Sequence, residues 1–492
     1  MSPSRLVSAL AAAALVALLA GCATVGPDYA APKAAKANLP TATGPFVGAA
    51  EAPVAQAPLP DDWWTLYDDP ALNDLVRQAL VANTDLRVAA ANLARARAVQ
   101  TEADDEGSPK FAAHGAAERT VVSGESYLLT EPVPAMTVGD VGLNVAYEID
   151  LVGRLRRLSE AARADTEASR AALDLARVSV AADVTRAYID ACSAGHELAV
   201  ADQSVALQQK SLEVTRRLVA AGRGNAIDLT RAQALLETSR AAAPTFEARR
   251  RAAVYRLAVL TGRPPAEYSR TLDACEAAPK LAQDIPVGDG AALIARRPDV
   301  RQAERGLAGA TARIGIATAA LYPTVTLGAG LGSSGLLSDL GQPAANHWNF
   351  GSLISWSLPD AGTHARIRAA DANADAALAR FDGAVLGALR ETETSLTMYG
   401  HDLQRNAALR AARDQARLAD QQADTLYRAG RAPYLTGLDA RRTLTQAEAA
   451  LAASDSQVAD DQVALFLALG GGWKDAPPVQ TVKATEAKAK GR

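Results

Sequence analysis

The chain has 492 residues, a formal net charge of −4 and only 4% aromatic side chains, with three Cys and five His. So mild a charge, with no basic tract, argues against a nucleic-acid partner. The scattered His, and the lack of any Cys-x-x-Cys or Cys/His spacing, argue against a structural metal and a disulfide scaffold.

The first element is a leader. Arg5 supplies a positive charge ahead of an apolar run from Leu6 to Ala20, too short to span a bilayer as a helix. The run ends in Leu19-Ala20-Gly21-Cys22, a pattern of small residues before a thiol that suits peptidase cleavage and lipid attachment at Cys22. Residues 1–21 are thus expected to be a signal peptide, and 22–69 a lipid-anchored N-terminal extension. Ala23 rather than Asp follows the thiol, which points to the outer membrane. No stretch beyond residue 21 is long and apolar enough to cross a membrane as a helix.

Two copies of one unit follow. Asp85-Leu86-Arg87 matches Asp299-Val300-Arg301, and Leu93, Ala96, Ala98 and Pro109 match Leu307, Ala310, Ala312 and Pro323. Gly153, Gly222 and Gly262 match Gly362, Gly430 and Gly470. Each unit reads helix, strand hairpin, long helix, turn, helix. The first repeat covers 70–262, with a helix over 70–103, a hairpin over 109–148, a long helix over 151–219 and a helix over 226–262. A linker over 263–288 leads to the second repeat over 289–472. Its hairpin covers 323–358, its long helix 362–429 and its last helix 435–470, with a tail over 473–492.

The strands alternate. Val141, Leu143, Val145 and Tyr147 share a face opposite Gly142, Asn144 and Ala146. Val325, Leu327, Ala329 and Leu331 face away from Thr and Gly, and Trp348, Phe350, Ile354 and Trp356 form another apolar row. This is the apolar-out, polar-in pattern of a transmembrane barrel. Four strands per chain fall short of the eight or so that closure needs, and open edges are not tolerated in lipid. The count demands several copies and leaves two, three or four open.

The long helix over Arg154–Leu218 spans roughly 100 Å at 1.5 Å per residue. A seam of Val178, Ala182, Thr185, Ile189 and Cys192 recurs at heptad-like spacing. Cys192 reads there as a small packing residue. The expected fold is therefore mixed α and β. A barrel of strands shared between protomers continues into a barrel of antiparallel coiled-coil helices, built from an internal two-fold repeat.

Several motifs carry a resemblance. They are Gly26-Pro27-Asp28-Tyr29, Trp63-Trp64 with Asp69-Pro70-x-Leu72, Asn83-x-Asp85-Leu86 and Tyr147-Glu148-Ile149-Asp150-Leu151 with Gly153-Arg154. Arg297-Pro298-Asp299-Val300 with Ala303-Glu304, Ile314-Gly315 with Tyr322-Pro323, and Ala468-Leu469-Gly470-Gly471-Gly472-Trp473 complete the set. Together, from Cys22 to Trp473, they resemble the TolC-like outer-membrane factors, most closely their lipoprotein branch of the NodT/OprM type. The chain departs from that pattern at Leu358-Pro359-Asp360-Ala361-Gly362 and at Asp439-Ala440-Arg441-Arg442. The resemblance implies a homotrimer with a twelve-stranded barrel and a periplasmic tunnel. It would pass small molecules from an inner-membrane transporter and a periplasmic adaptor to the exterior. The alternatives are a periplasmic adaptor or a structural envelope-bridging lipoprotein. No catalytic constellation is present, and the only group implied beyond the chain is the lipid on Cys22.

The resemblance also places a periplasmic gate at Leu435 and Asp439, with Asp228 as the positional relative in the first repeat. Arg428, Arg431 and Tyr434 are candidates for holding the gate closed, or are simply solvated. Gly222 and Gly430 suit left-handed helix stops. Helix-capping Asp residues would be the plain alternative to a gate.

Overall fold

The computed structural model describes residues 24–128 and 130–480, without the side chains of Ser126 and Tyr127. The leader and Cys22 therefore lie outside the described residues. In chain order the elements are β1 (Val54–Ala55), α1 (Pro70–Ala82), α2 (Thr84–Asp105), β2 (Lys110–Thr120), β3 (Met136–Ile149), α3 (Arg154–Ala220) and α4 (Ala226–Leu260). There follow β4 (Ile285–Pro286), α5 (Gly290–Arg296), α6 (Pro298–Ala319), β5 (Thr324–Leu336), β6 (Asn346–Ser355), α7 (Ala361–Arg428) and α8 (Tyr434–Leu469). They divide into two compact units. Among the described residues, one holds 24–32, 94–168 and 303–380; the other holds 33–93, 169–302 and 381–480.

The first unit is built on one antiparallel sheet of strand order β2-β3-β5-β6. Its register aligns the alternation of all four strands. Phe111 pairs with Val145, Val145 with Ala329 and Ala329 with Phe350, so one face is apolar from edge to edge. Trp348, Phe350 and Phe111 on that face are 81%, 74% and 82% exposed. A water-soluble surface does not carry such a patch. The opposite face carries His114, Asp140, Asn144, His347 and Asn349 among glycines, with Leu353 near one end of the strands and Met136, Val138 and Leu336 near the other as its large apolar residues. Both β2 and β6 keep one edge without a strand partner among the described residues.

An N-terminal arm closes the joint between sheet and helices in this unit. The Arg157 guanidinium, only 3% exposed, donates to the carbonyls of Val25 and Gly26 and to the Asp28 and Glu160 carboxylates. The Val25 amide bonds the Val152 carbonyl, and the Arg305 guanidinium lies over the Tyr29 ring. Replacing Arg157 with Ala strands two carboxylates and two carbonyls together. Limited proteolysis of Arg157→Ala is expected to cleave within residues 24–32 under conditions that leave the native arm intact.

The second unit has a core of large buried side chains. Trp63 is fully buried and stacks on Phe466 with centroids 4.5 Å apart, and Tyr67 meets the same ring edge-on. Leu72, Leu80, Leu86, Leu257 and Leu469 are among the other large side chains fully buried in this unit. The Trp63-Trp64 motif is thus a packing anchor. The two-residue strands β1 and β4 pair in parallel and tie the N-terminal extension to the inter-repeat linker.

Two features differ from the sequence reading. The helix read over 70–103 stops at Ala82 and restarts at Thr84. Asn83 is extended (φ −59°, ψ 137°). Its side-chain oxygen caps the new helix by accepting from the Asp85 and Leu86 amides, and its nitrogen donates to the Leu260 carbonyl. The second repeat, read from the sequence as one helix over about 290–318, likewise breaks at Arg297, where the following proline disfavours helical backbone. There the guanidinium donates to the Ala468 carbonyl, Asp299 and Glu391.

The second correction concerns the cysteines. Cys192 and Cys275 form a disulfide across a sequence separation of 83. The bond pins the linker to α3, and Gly195, one turn on, lets the Cys275 carbonyl approach the helix closely. Cys192 still lies on the packing seam, where Val178, Ala182, Thr185 and Ile189 are all buried. No spacing rule identified the pair, because only the folded linker brings Cys275 to α3.

Candidate functional site

The residues singled out at the helix turns all fall in the second unit. At the first turn Gly222 has φ 69°, and the Arg223 amide reaches back to the Leu218 carbonyl at 2.9 Å. At the second, Gly430 has φ 68°, and the Arg431 amide reaches the Leu426 carbonyl at 2.8 Å. These are matched helix stops of the Schellman type, and the positive φ is what glycine supplies.

Neither carboxylate is a helix cap. Asn225 caps α4 by accepting from the Ile227 amide, with Asp228 behind it in the first turn. The N-cap position of α8 is Pro433, which makes no side-chain cap, and Asp439 lies further inside the helix. Asp439 is exposed, its nearest cation being Arg442 at 3.8 Å, and Leu435 is 39% exposed.

The candidate locking residues separate. Arg428 pairs with Asp424 one turn back on its own helix at 2.7 Å, and no bond joins Arg428 or Arg431 to Asp439. Tyr434 does bridge elements. Its hydroxyl bonds the carbonyl of Ser211 on α3 at 3.0 Å and lies 2.9 Å from the Ser211 hydroxyl, while its ring meets Tyr427 edge-on. Beneath the turns, Leu212, Ala232 and Leu236 form a small core with Val205 and Leu229. Ser211 was not singled out in the sequence, since a lone Ser on a long helix carries no signal of its partner.

Sequence reasoning also missed a buried acidic cluster. On α8, Asp460 Oδ1 and Asp461 Oδ2 are buried without a hydrogen-bond partner among the described residues. Asp461 accepts from Gln457 and faces the Asp402 carboxyl of α7. Burial first, then the neighbouring carboxylates, push Asp460 and Asp461 each up to about 6. On α3, Glu197 is held by Arg249 at 2.5 Å, and burial raises its carboxyl and that of Asp190. Among the described residues no group of three or more His, Cys, Asp and Glu side chains is placed to hold a metal ion. None of the described helices is long and apolar enough to cross a membrane.

The molecule thus offers a sheet with one lipid-compatible face and one polar face, and helix pairs that end in exposed acidic turns. Comparison with known proteins agrees. The family described as outer membrane efflux protein matches residues 75–263 and 291–471. Nodulation protein T of Rhizobium leguminosarum bv. viciae is 30% identical over 94% of this chain and 93% of its own length. Outer membrane protein OprJ of Pseudomonas aeruginosa is 31% identical over 94% of this chain and 96% of its own. The solved structure of the outer-membrane channel OprN superposes with a TM-score of 0.85 at 36% identity, covering 91% of this chain and 99% of that one. The chain belongs to the outer membrane efflux protein family and is an outer-membrane efflux channel, not a member of an enzyme family.

Proposed function

We propose that three copies of this chain close one barrel. Each copy is anchored by lipid on Cys22, and together they receive small molecules from an inner-membrane transporter through a periplasmic adaptor. The observation that carries this reading is the sheet itself: four strands, two free edges and an apolar face exposed across its whole width. Neither free edges nor half a barrel is stable in lipid, so the edges of one copy pair with those of the next. Three copies give twelve strands. Native mass spectrometry in detergent is expected to give a trimer carrying acyl chains at Cys22. A conducting monomer, or an unmodified mature N-terminus at another residue, contradicts it.

The constriction is assigned to the turns that open α4 and α8. Leu435 and Asp439 share a helix face four residues apart, and repetition about an axis stacks an apolar ring near an acidic one. Asp228 repeats the charge from the first repeat. Tyr434 on Ser211 is the contact that holds the pairs together at this level, in place of Arg428 and Arg431. Leu435→Ala with Asp439→Ala is expected to raise single-channel conductance several-fold. Asp439→Arg is expected to turn cation preference into anion preference at low salt, an effect that fades as salt rises. Unchanged conductance and selectivity in both variants would place the constriction elsewhere.

A further inference from the structure

Two of the five His lie in a single row across the sheet. His114 on β2 pairs with Gly142 on β3, Gly142 with Gly332 on β5, and Gly332 with His347 on β6. All four positions share the polar face, and the two central ones carry no side chain. Both imidazoles lean inward over that bare floor. A Cβ built on Gly142 would stand 3.0 Å from His114 Nε2, and one on Gly332 would stand 3.1 Å from His347 Nε2.

The next row repeats the arrangement with carboxamides. Asn144 on β3 pairs with Gly330 on β5, and Gly330 with Asn349 on β6. A Cβ on Gly330 would meet Asn144 Oδ1 at 2.5 Å and Asn349 Oδ1 at 2.6 Å, so both oxygens converge over one glycine. Two imidazoles and two amide oxygens therefore surround the Gly330–Gly332 segment of β5.

The His114 ring is already oriented. Its Nε2 faces Asp140 Oδ1 at 2.6 Å, so the carboxylate accepts the Nε2 proton and leaves the lone pair on Nδ1. That lone pair accepts a hydrogen bond from the Asn144 Nδ2 amide, 3.3 Å away, which a cation at Nδ1 would displace. A carboxylate holding the far nitrogen of an imidazole is the common outer-shell arrangement around a metal-bound histidine, where it fixes the tautomer and raises basicity.

We propose that this patch is a transit site for a borderline divalent transition cation, Cu2+ foremost. His114 Nδ1 and His347 would be the nitrogen ligands, Asn144 and Asn349 the oxygen donors, and Asp140 the group that orients His114. Two nitrogens and two neutral oxygens suit Cu2+ or Ni2+ and not Ca2+ or Mg2+, which want several anionic or water oxygens. With no thiolate and no carboxylate among the ligands, the site binds weakly enough to release its ion. A site on a conduction path needs that property. Binding does not depend on the polar face lining a duct; any effect on conduction does.

The test is titration of the purified full-length protein in detergent with Cu2+ alone, followed by calorimetry and electron paramagnetic resonance. Micromolar binding of about one ion per chain is expected, with hyperfine coupling to two nitrogens. His347→Ala, on an edge strand and exposed, is expected to weaken binding at least tenfold and remove one nitrogen. His114→Ala is expected to do the same, and Asp140→Asn to weaken binding about tenfold without changing the nitrogen count. Equal Cu2+ affinity in the native protein and in the His114→Ala/His347→Ala double variant overturns the proposal. So does a spectrum that His347→Ala leaves unaltered. In planar bilayers, Cu2+ is expected to reduce the native conductance and not that of the double variant. Binding without that reduction upholds the site and counts against the polar face as the wall of the duct.

Discussion

Reducing the Cys192–Cys275 bond is expected to cost the second unit about 4–5 kcal/mol, the chain-entropy value for a closed loop whose ends lie 83 residues apart. The loop contains the end of α3, its turn, all of α4 and part of the linker. The unfolded chain therefore regains much freedom once the bond is cut. The oxidising periplasm is where such a bond persists. Cys192 is fully buried on the helix seam, so Ala there leaves only a small void, whereas Ser would bury a hydroxyl. Thermal unfolding in detergent, followed by circular dichroism, is expected to show the midpoint of Cys192→Ala/Cys275→Ala falling by some ten degrees. Reductant should bring the native protein to the same value and leave the variant unmoved. Equal midpoints for native, reduced and variant protein would mean that other linker contacts hold the segment. These are the β1–β4 pair, the Ala282 amide on Leu66 and Arg250 on the Asp273 carbonyl.

The legible and illegible parts of this structure separate by the range of the interaction. Strand faces were legible because period-two alternation is local, and Val141, Leu143 and Tyr147 announce their face without knowledge of their partners. The repeat was legible because Asp, Pro and Gly recur in order. The helix breaks at Asn83 and Arg297 were visible as motif residues but not as breaks. An Asn followed by Asp-Leu also fits the interior of a helix, and what stops the first helix is the tertiary bond from Asn83 to the Leu260 carbonyl. The disulfide and the Tyr434–Ser211 bridge join positions 83 and 223 residues apart, a distance at which one sequence carries no pairing signal. The same holds for the histidine row, whose members are individually ordinary until the register places them on one line.

Acidification from pH 7.5 to 5 is expected to stabilise the second unit, and the source is the pair of aspartates on α8. Asp460 and Asp461 titrate at about 6 in the folded protein against 3.8 when free. The folded state therefore holds more protons than the unfolded state between about pH 4 and 6, and stability falls as pH rises through that window. Above it, each ionised carboxylate carries a penalty of roughly 1–2 kcal/mol. A tenfold gain in proton affinity is about 1.4 kcal/mol, and the arginines and solvent around the cluster screen part of the total. The groups facing the pair decide how much of that penalty survives. Asp402 and Tyr399 of α7 oppose Asp461, while Asp190 and Glu197 of α3 crowd Asp460, offset by Arg186 of α3 and Arg249 of α4. Repulsion between α8 and both neighbours is thus strongest in the fully ionised state, and protonation relieves it. Asp460→Asn and Asp461→Asn are each expected to raise the unfolding midpoint at pH 7.5 and to flatten its pH dependence between 5 and 7. At pH 4.5 the variants and the native protein should converge. A midpoint that rises with pH across this window, or variants that keep the native pH profile, would mean that the arginines neutralise the cluster. The buried carboxylates would then be paired, not strained.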